Sequence, residues 1–391
     1  MEKELGIYIH IPFCVKKCNY CDFNSGSFSD EIKARYVDAL CKEIEVKSEF
    51  FKDHIINTVF IGGGTPSILP YEYIGRILET LRSFYYVSDS AEVSIECNPG
   101  TVDENKLINY KNFWINRISF GLQSADNDEL KVLGRIHSYE EFLESFKLAR
   151  KAGFENINVD LMCAIPDQSV ESFKNSLNNV LNLNPEHISI YSLIIEEGTP
   201  FYDMKLNLVN EDDEREMVHI IPEILGDEYC QYEISNYAKK GYECKHNIKY
   251  WKRDAYLGFG VSAASLLQMN GINALRLKNT DSVNEYIKII NSDIESVIIP
   301  RDFNTEYKFY IENALLTEED IISEYMILGL RMNRGISKTD FYDLFGKDVY
   351  EMFGDVLNRH KKDGLLKDEQ GHIVLTMKGR DLANHVWKDF I

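Results

Sequence analysis

Apolar and polar positions alternate between two spacings along roughly the first 200 residues. The stretch LGIYIHI, residues 5–11, is apolar except for Tyr8 and His10. Pro12 stops it, and it reads as a strand. Helical spacing follows: Ser29 or Asp30 can cap a helix to about Glu49, with Tyr36, Leu40, Ile44 and Phe51 on its apolar side. Residues 55–61 are rich in β-formers and close on Gly62-Gly63-Gly64-Thr65-Pro66, a second strand and its turn. From Pro70, Ile74, Ile77, Leu78 and Leu81 share a helical face. Residues 93–97 are a third strand, stopped by Asn98-Pro99-Gly100, with a short helix from Val102. Residues 117–122 are a fourth, ending in Gln123, with helices from Asp126 and Tyr139. Residues 156–161 are a fifth, followed by the amphipathic run SVESFKNSLNNVLNL, and HISIYSLI from His187 is the sixth.

Six strands alternating with helices predict an α/β fold with a parallel sheet and helices outside it. The spacing leaves three closures open: a full barrel, an open doubly wound sheet, or a partial barrel. In sheets of this kind a site lies at the C-terminal strand ends. Beyond Glu196 the spacing changes. EEGTPFY is a turn-rich linker, and a helix covers about 212–225. YEISNYAKKGYECKHNIKYWKRDAYLGFGVSAAS is dense in aromatic, Asn and Gly residues and predicts extended, turn-linked structure closing over a site. A helix is expected near 282–290. Thr317 with Asp320 forms a capping-box pattern before IISEYMILGLR, then KTDFYDLF and 348–360 read as helices, 364–376 as a hairpin, and the end as a helix. The expected organisation is residues 1–200 as the sheet unit, 201–300 as a mixed covering region, and 301–391 as a small winged-helix-like domain.

Composition removes several classes. The net charge is -20, and residues 301–391 carry 13 Lys+Arg against 17 Asp+Glu, so the C-terminal unit has no basic nucleic-acid footprint. No run of about 18 apolar residues occurs, so no spanning helix is expected. The N-terminus MEKELGIYIHIP does not read as a signal peptide, so a cytoplasmic location is expected, with peripheral contact to a membrane left open.

Cys14, Cys18 and Cys21 then change the picture. They stand as C-x3-C-x2-C directly after the first strand. Three thiolates on one loop can hold three irons of a cubane cluster and leave the fourth iron open. Structural zinc wants a second paired set, and none follows. Cys41, Cys97, Cys163, Cys230 and Cys244 are scattered, an odd remainder that argues against a disulfide scaffold. Lys16, Lys17 and Asn19 make the loop a poor buried segment.

The motif, with Tyr20 before its last cysteine and the flanks YIHIPFC and CDF, resembles the radical S-adenosylmethionine (SAM) superfamily. Its nearest likeness is the branch of oxygen-independent coproporphyrinogen III oxidases and their relatives. The resemblance implies a partial (β/α)6 barrel, a [4Fe-4S] cluster on Cys14, Cys18 and Cys21, and SAM chelating the open iron. An electron from the cluster then cleaves the sulfonium to methionine and a 5'-deoxyadenosyl radical, chemistry carried by the cofactor. Carried over residue by residue, Gly63, Gly64 and Thr65 receive the methionine amino group. Glu96 is a SAM-binding carboxylate, Gln123 lies near the ribose, Arg135 pairs with the methionine carboxylate, Asp160 takes a ribose hydroxyl, and Tyr8 sits beside the cluster. Each also has a plainer reading: a glycine run is a tight turn, Arg135 a surface helix residue, Asp160 a capping acid.

The pattern departs from the oxidases at Phe23, where they carry a further cysteine. The chain also reaches its first strand at once, without the N-terminal extension of those enzymes. Both departures match the heme-chaperone relatives, as does His246-Asn247-x-x-Tyr250-Trp251. The resemblance implies heme as cargo and heme-accepting proteins as partners, membrane-bound respiratory enzymes among them. It also implies an electron donor, with a homodimer left open, while the acidic balance argues for no nucleic acid among the partners. His246 is the candidate heme ligand, Cys244 the thiolate alternative, and Tyr250 and Trp251 flat apolar surface. Against this, His246 and Asn247 can be hydrogen-bonded turn residues. The competing functions are oxidative decarboxylation of coproporphyrinogen III and methylation or RNA modification. The acidic balance disfavours RNA.

Overall fold

Leu5, Ile7, Ile9 and Ile11 are fully buried, so the first apolar run is a strand at the centre of a sheet. A computed structural model describes residues 3–269, 273–300 and 307–391. Six strands run parallel in sequence order: β1 (Lys3–Ile11), β2 (His54–Gly63), β3 (Tyr86–Cys97), β4 (Arg117–Gln123), β5 (Ile157–Cys163) and β6 (His187–Ser192). Between them come α1 (Asp30–Lys47), α2 (Tyr71–Phe84), α3 (Glu104–Asn112), α4 (Asn127–Val132), α5 (Tyr139–Lys151) and α6 (Val170–Leu181). The caps are local and polar: Ser29, Asp103, Asp126, Ser138 and Ser169 each accept a backbone N–H of the first turn. β1 and β6 do not pair with each other, so the barrel is partial. The third strand begins seven residues before its expected start. The polar run Ser88-Asp89-Ser90 masks its first half, which a register irregularity separates from the rest.

The sheet does not end at the six strands. β7 (Cys230–Gln231) and β8 (Asn236–Ala238) add to the β6 edge as an antiparallel pair. At the other edge β9 (Tyr256–Phe259) pairs parallel with β1. β10 (Ala264–Gln268), β11 (Ala274–Asn279) and β12 (Tyr310–Leu316) then continue antiparallel, giving twelve strands among the described residues. α7 (Pro200–Asp203), α8 (Glu211–Leu225), α9 (Lys245–Trp251) and α10 (Val283–Ser292) lie between these strands in sequence.

The stretch expected to be extended and turn-linked differs in one part: it holds β8, β9 and the start of β10, all of the main sheet, but also the helix α9. Seven residues are too few to show helical periodicity, and the cap of α9 comes from far upstream. Glu92 of β3 accepts the Lys245 and His246 N–H groups, both at 3.1 Å. A carboxylate satisfies the free donors of a helix N-terminus and suits its dipole.

After β12 come α11 (Glu318–Gly329), β13 (Ile336–Ser337), α12 (Lys338–Phe345), α13 (Val349–Lys362), β14 (Leu366–Glu369) and β15 (His372–Leu375). The order helix, strand, two helices and hairpin is consistent with a winged-helix-like unit, and Met326, Leu330, Phe341, Leu357 and Ile373 form its own core. Thr317 and Asp320 make the expected capping box. The expected terminal helix is two short ones, α14 (Met377–Asp381) and α15 (Ala383–Trp387). The expected boundary at Arg301 lies outside the described residues. Arg331 fastens this unit to α9: its guanidinium lies 4.4 Å from the Trp251 ring centroid and 5.1 Å from that of Trp387.

Candidate functional site

Tyr8 of β1 and residues at the C-terminal ends of the other five parallel strands line one cavity of about 530 Å³. The loop after β1 brings Cys14, Cys18 and Cys21, all half-buried free thiols. Gly64 leaves the space they need, since a Cβ there would stand 3.0 Å from Cys14 Sγ and 2.8 Å from the Phe13 carbonyl. The loop is tied down on both sides: Cys14 N–H donates to the Gly26 carbonyl at 2.9 Å, and Asn19 N–H to that of Leu133 at 2.9 Å. No three His, Cys, Asp or Glu side chains among the described residues are grouped to hold one metal ion. A cubane asks for something else, three separate iron corners with one thiolate each.

The GGGTP turn follows β2. Gly63 has φ +113°, and a Cβ on it would meet the His10 ring at 2.6 Å, so only glycine fits. Its N–H donates to Glu96 Oε2 at 3.0 Å. Thr65 Oγ1 accepts from Asn98 Nδ2 at 2.9 Å and lies 3.5 Å from Cys14 Sγ. Arg135, read in sequence as a possible surface residue, lines the cavity instead. Its guanidinium donates to Asn98 Oδ1 at 2.8 Å, to the Gly121 carbonyl, and to Cys18 Sγ at 3.5 Å. Asp160 is not a cap: Asn158 Nδ2 donates to Oδ1 at 2.7 Å and Ser119 Oγ to Oδ2 at 3.3 Å. Gln123 ends β4 at φ +75°. Tyr8 bonds His10 Nδ1 at 3.0 Å and shares the same wall. Every residue singled out for cluster or SAM therefore borders this one space.

Two half-buried carboxyls, Glu96 and Asp160, set much of its electrostatics. Burial, then the nearby Asp160 charge, pushes the Glu96 carboxyl up to about 8 against the Gly63 N–H, and burial also raises Asp160. A cationic ligand would offset both. Arg117, 2% exposed, reaches the cavity with its Nε unpartnered. Because the folded value of Glu96 exceeds its ordinary 4.5, the folded chain holds that proton more tightly. The cost of ionised Glu96 is absent below pH 4.5, grows as pH rises, and is complete above about 8. SAM-free Glu96→Gln protein should match the parent near pH 4 and exceed it by about 1–3 kcal/mol at pH 9, after discounting for cavity water. Denaturant melts across that range check it, and an equal difference at both pH values would refute the assignment.

His246, the candidate heme ligand, lies inside the wall of the site. It is 1% exposed, and both ring nitrogens are engaged: Nδ1 with Thr58 Oγ1 and Nε2 with the Tyr250 hydroxyl, each at 2.8 Å. Its ring stacks on Phe60 at 5.4 Å. Burial, then Lys249 and Arg117, hold it down to about 3, so it is neutral. No nitrogen is free for iron as the residue stands. Cys244 is fully buried and its thiol is pushed up to about 12 by burial, so it is no exposed thiolate either. HNxxYW thus builds a wall of the site: α9 closes the inner side of the barrel, and Tyr250 faces the cavity.

Sequence reading missed Asn98, Arg117, Ser119, Asn158 and Tyr191, which also line the space. A signal existed. Arg117, Ser119, Gly121 and Gln123 alternate along β4, as do Asn158 and Asp160 along β5, and alternate residues share a sheet face.

Comparison with known proteins agrees with this geometry. Residues 8–180 match the family model described as "Radical SAM superfamily", and 316–382 match "HemN C-terminal domain". The heme chaperone HemW of Bacillus subtilis (strain 168) is 36% identical over 98% of both chains. That of Lactococcus lactis subsp. lactis (strain IL1403) is 31% identical over 100% of this chain and 98% of its own. The coproporphyrinogen III oxidase HemN of Escherichia coli, described as a radical SAM enzyme, superposes with a TM-score of 0.82 at 24% identity, covering 100% of this chain and 90% of that one; this is a likeness of fold. No helix among the described residues is long and apolar enough to cross a membrane. With a radical SAM partial barrel, a HemN-type C-terminal unit and near full-length identity above 30%, the chain belongs to the HemW family of the radical SAM superfamily.

Proposed function

We propose that this protein is a heme chaperone carrying a [4Fe-4S] cluster and SAM, which binds heme and passes it to heme-accepting proteins, respiratory enzymes among them. The observation that carries the reading is the 36% identity to the B. subtilis heme chaperone across 98% of both chains. Cys14, Cys18 and Cys21 would hold three irons. The free thiols, the Gly64 cradle and the unpartnered Arg117 Nε suit a bound anionic cluster and a polar ligand. Gly63, Gly64 and Thr65 would take the methionine amino group, with Glu96 adding negative charge beside it. Arg135 would take the methionine carboxylate, and Gln123 and Asp160 the ribose side. When bound and reduced, the cluster supplies the electron that can cleave SAM. The chain's own part is to orient SAM, to keep Glu96 and Asp160 ready to balance its positive charge, and to exclude water through α9 and Tyr250.

The oxidase reading remains the competitor because the fold is shared. Phe23 weighs against it: it is 59% exposed at the cavity mouth, and a phenyl ring can neither ligate iron nor move a proton. Heme titration of the cluster-loaded protein should give a stoichiometric Soret shift. An anaerobic assay with SAM and reductant should release no carbon dioxide from coproporphyrinogen III. Sustained decarboxylation, or no Soret shift, would overturn the proposal.

A further inference from the structure

A second chamber of about 910 Å³ adjoins the first. The two share Lys17, Asp22 and Phe23 of the cysteine loop together with Tyr8, Gly63, Glu96 and Tyr250, so a ligand in one touches the walls of the other. Its volume is at the upper end of small-ligand sites, which run to about 1,000 Å³. One wall is the β10–β11 hairpin. The register sets Ala264 opposite Lys278 and Leu266 opposite Arg276, and Leu266 also pairs with Tyr256 of β9. Directly paired residues project from one face, so two aliphatic side chains and two cations line the chamber together. Their strand neighbours Ser265, Leu267, Leu275 and Leu277 are buried on the opposite face. Phe23 and Trp251 add aromatic surface.

The cations are not equivalent. Arg276 is held by Glu324 at 2.7 Å. Lys278 has no ion pair among the described residues, although Glu312 stands opposite it on β12. Lys17, on the cysteine loop, is likewise unpaired among the described residues. Asp22, Glu96 and Asp281 are also in the wall. Lys17 and Lys278 can each pair with one carboxylate of a dicarboxylate ligand.

We propose that this chamber, rather than His246, seats the tetrapyrrole. The macrocycle lies against Phe23, Trp251, Tyr256 and Leu266, and a propionate pairs with Lys278. The inference rests on the heme-chaperone reading and places its cargo beside the cluster cavity. A charge-assisted pair in a partly desolvated site is worth about tenfold or more in affinity. Full-length, cluster-loaded protein is titrated with heme and with heme dimethyl ester. The wild type should bind heme at least about tenfold tighter than the ester. Lys278→Glu should lose that preference while keeping its cluster absorbance, and its ester affinity should be unchanged. Failure of the wild type to bind heme would sink the chaperone reading and this seat with it. Heme binding by the wild type that is indifferent both to esterification and to Lys278→Glu would sink the seat alone. Tighter binding of coproporphyrin III, with its four carboxylates, than of heme would also overturn it.

Discussion

Replacing any one of Cys14, Cys18 or Cys21 with alanine should abolish the visible absorbance and reduced EPR signal of the reconstituted [4Fe-4S] cluster. The three thiols stand on one loop bordering one cavity, and a cubane with two protein thiolates has a second exposed corner. Cys41→Ala should leave the cluster intact, because Cys41 is buried in α1 and its thiol is raised by burial. Arg135→Ala should keep its iron but lose the spectral response to SAM, since Arg135 lines the cavity and touches Cys18 without being a thiolate. Iron analysis with EPR before and after SAM separates these results. Equal loss of iron in the Cys41 variant and the motif variants would reject the assignment.

The second large effect is one of stability. Glu43→Ala should destabilise the chain by about 3–5 kcal/mol, since it strands a buried charge. Glu43 and Lys47 of α1 are both fully buried and pair at 2.5 Å. The carboxylate also accepts Gly260 N–H at 2.8 Å, Asn279 Nδ2 at 3.0 Å and the Tyr286 hydroxyl at 2.5 Å. Lys47 Nζ sits 5.0 Å from the Phe309 ring centroid and 5.2 Å from that of Tyr310. This knot ties α1 to the ends of β9 and β11 and to α10, and so holds the outer strands against the barrel. Glu43→Gln with Lys47→Met, which removes both charges, should cost less than Glu43→Ala. Denaturant midpoints of the three proteins test it; a change below about 1 kcal/mol in Glu43→Ala would refute it.

Much of the barrel was legible in the chain. Apolar runs, helical faces and cap signals mark the same six strands and the six helices between them, because the spacing records which side each element buries. C-x3-C-x2-C is local as well, so its chemistry can be read without a fold. What escaped was set by contacts distant in sequence. Glu43 looks like any acid on an amphipathic helix until Gly260, Asn279 and Tyr286 close around it. α9 is too short to announce itself and takes its cap from Glu92. His246 reads as a heme ligand from its motif. Thr58 and Tyr250 occupy the histidine's nitrogens inside the wall. The sequence by itself determined the strand–helix alternation, the cysteine motif and the family, because these depend on near neighbours. Only the tertiary structure decided which polar groups meet in the cavity, that β9–β12 extend the sheet, and that Arg276 and Lys278 face a chamber beside it. Strand pairing across the fold determines which side each residue takes, and no local pattern carries that information.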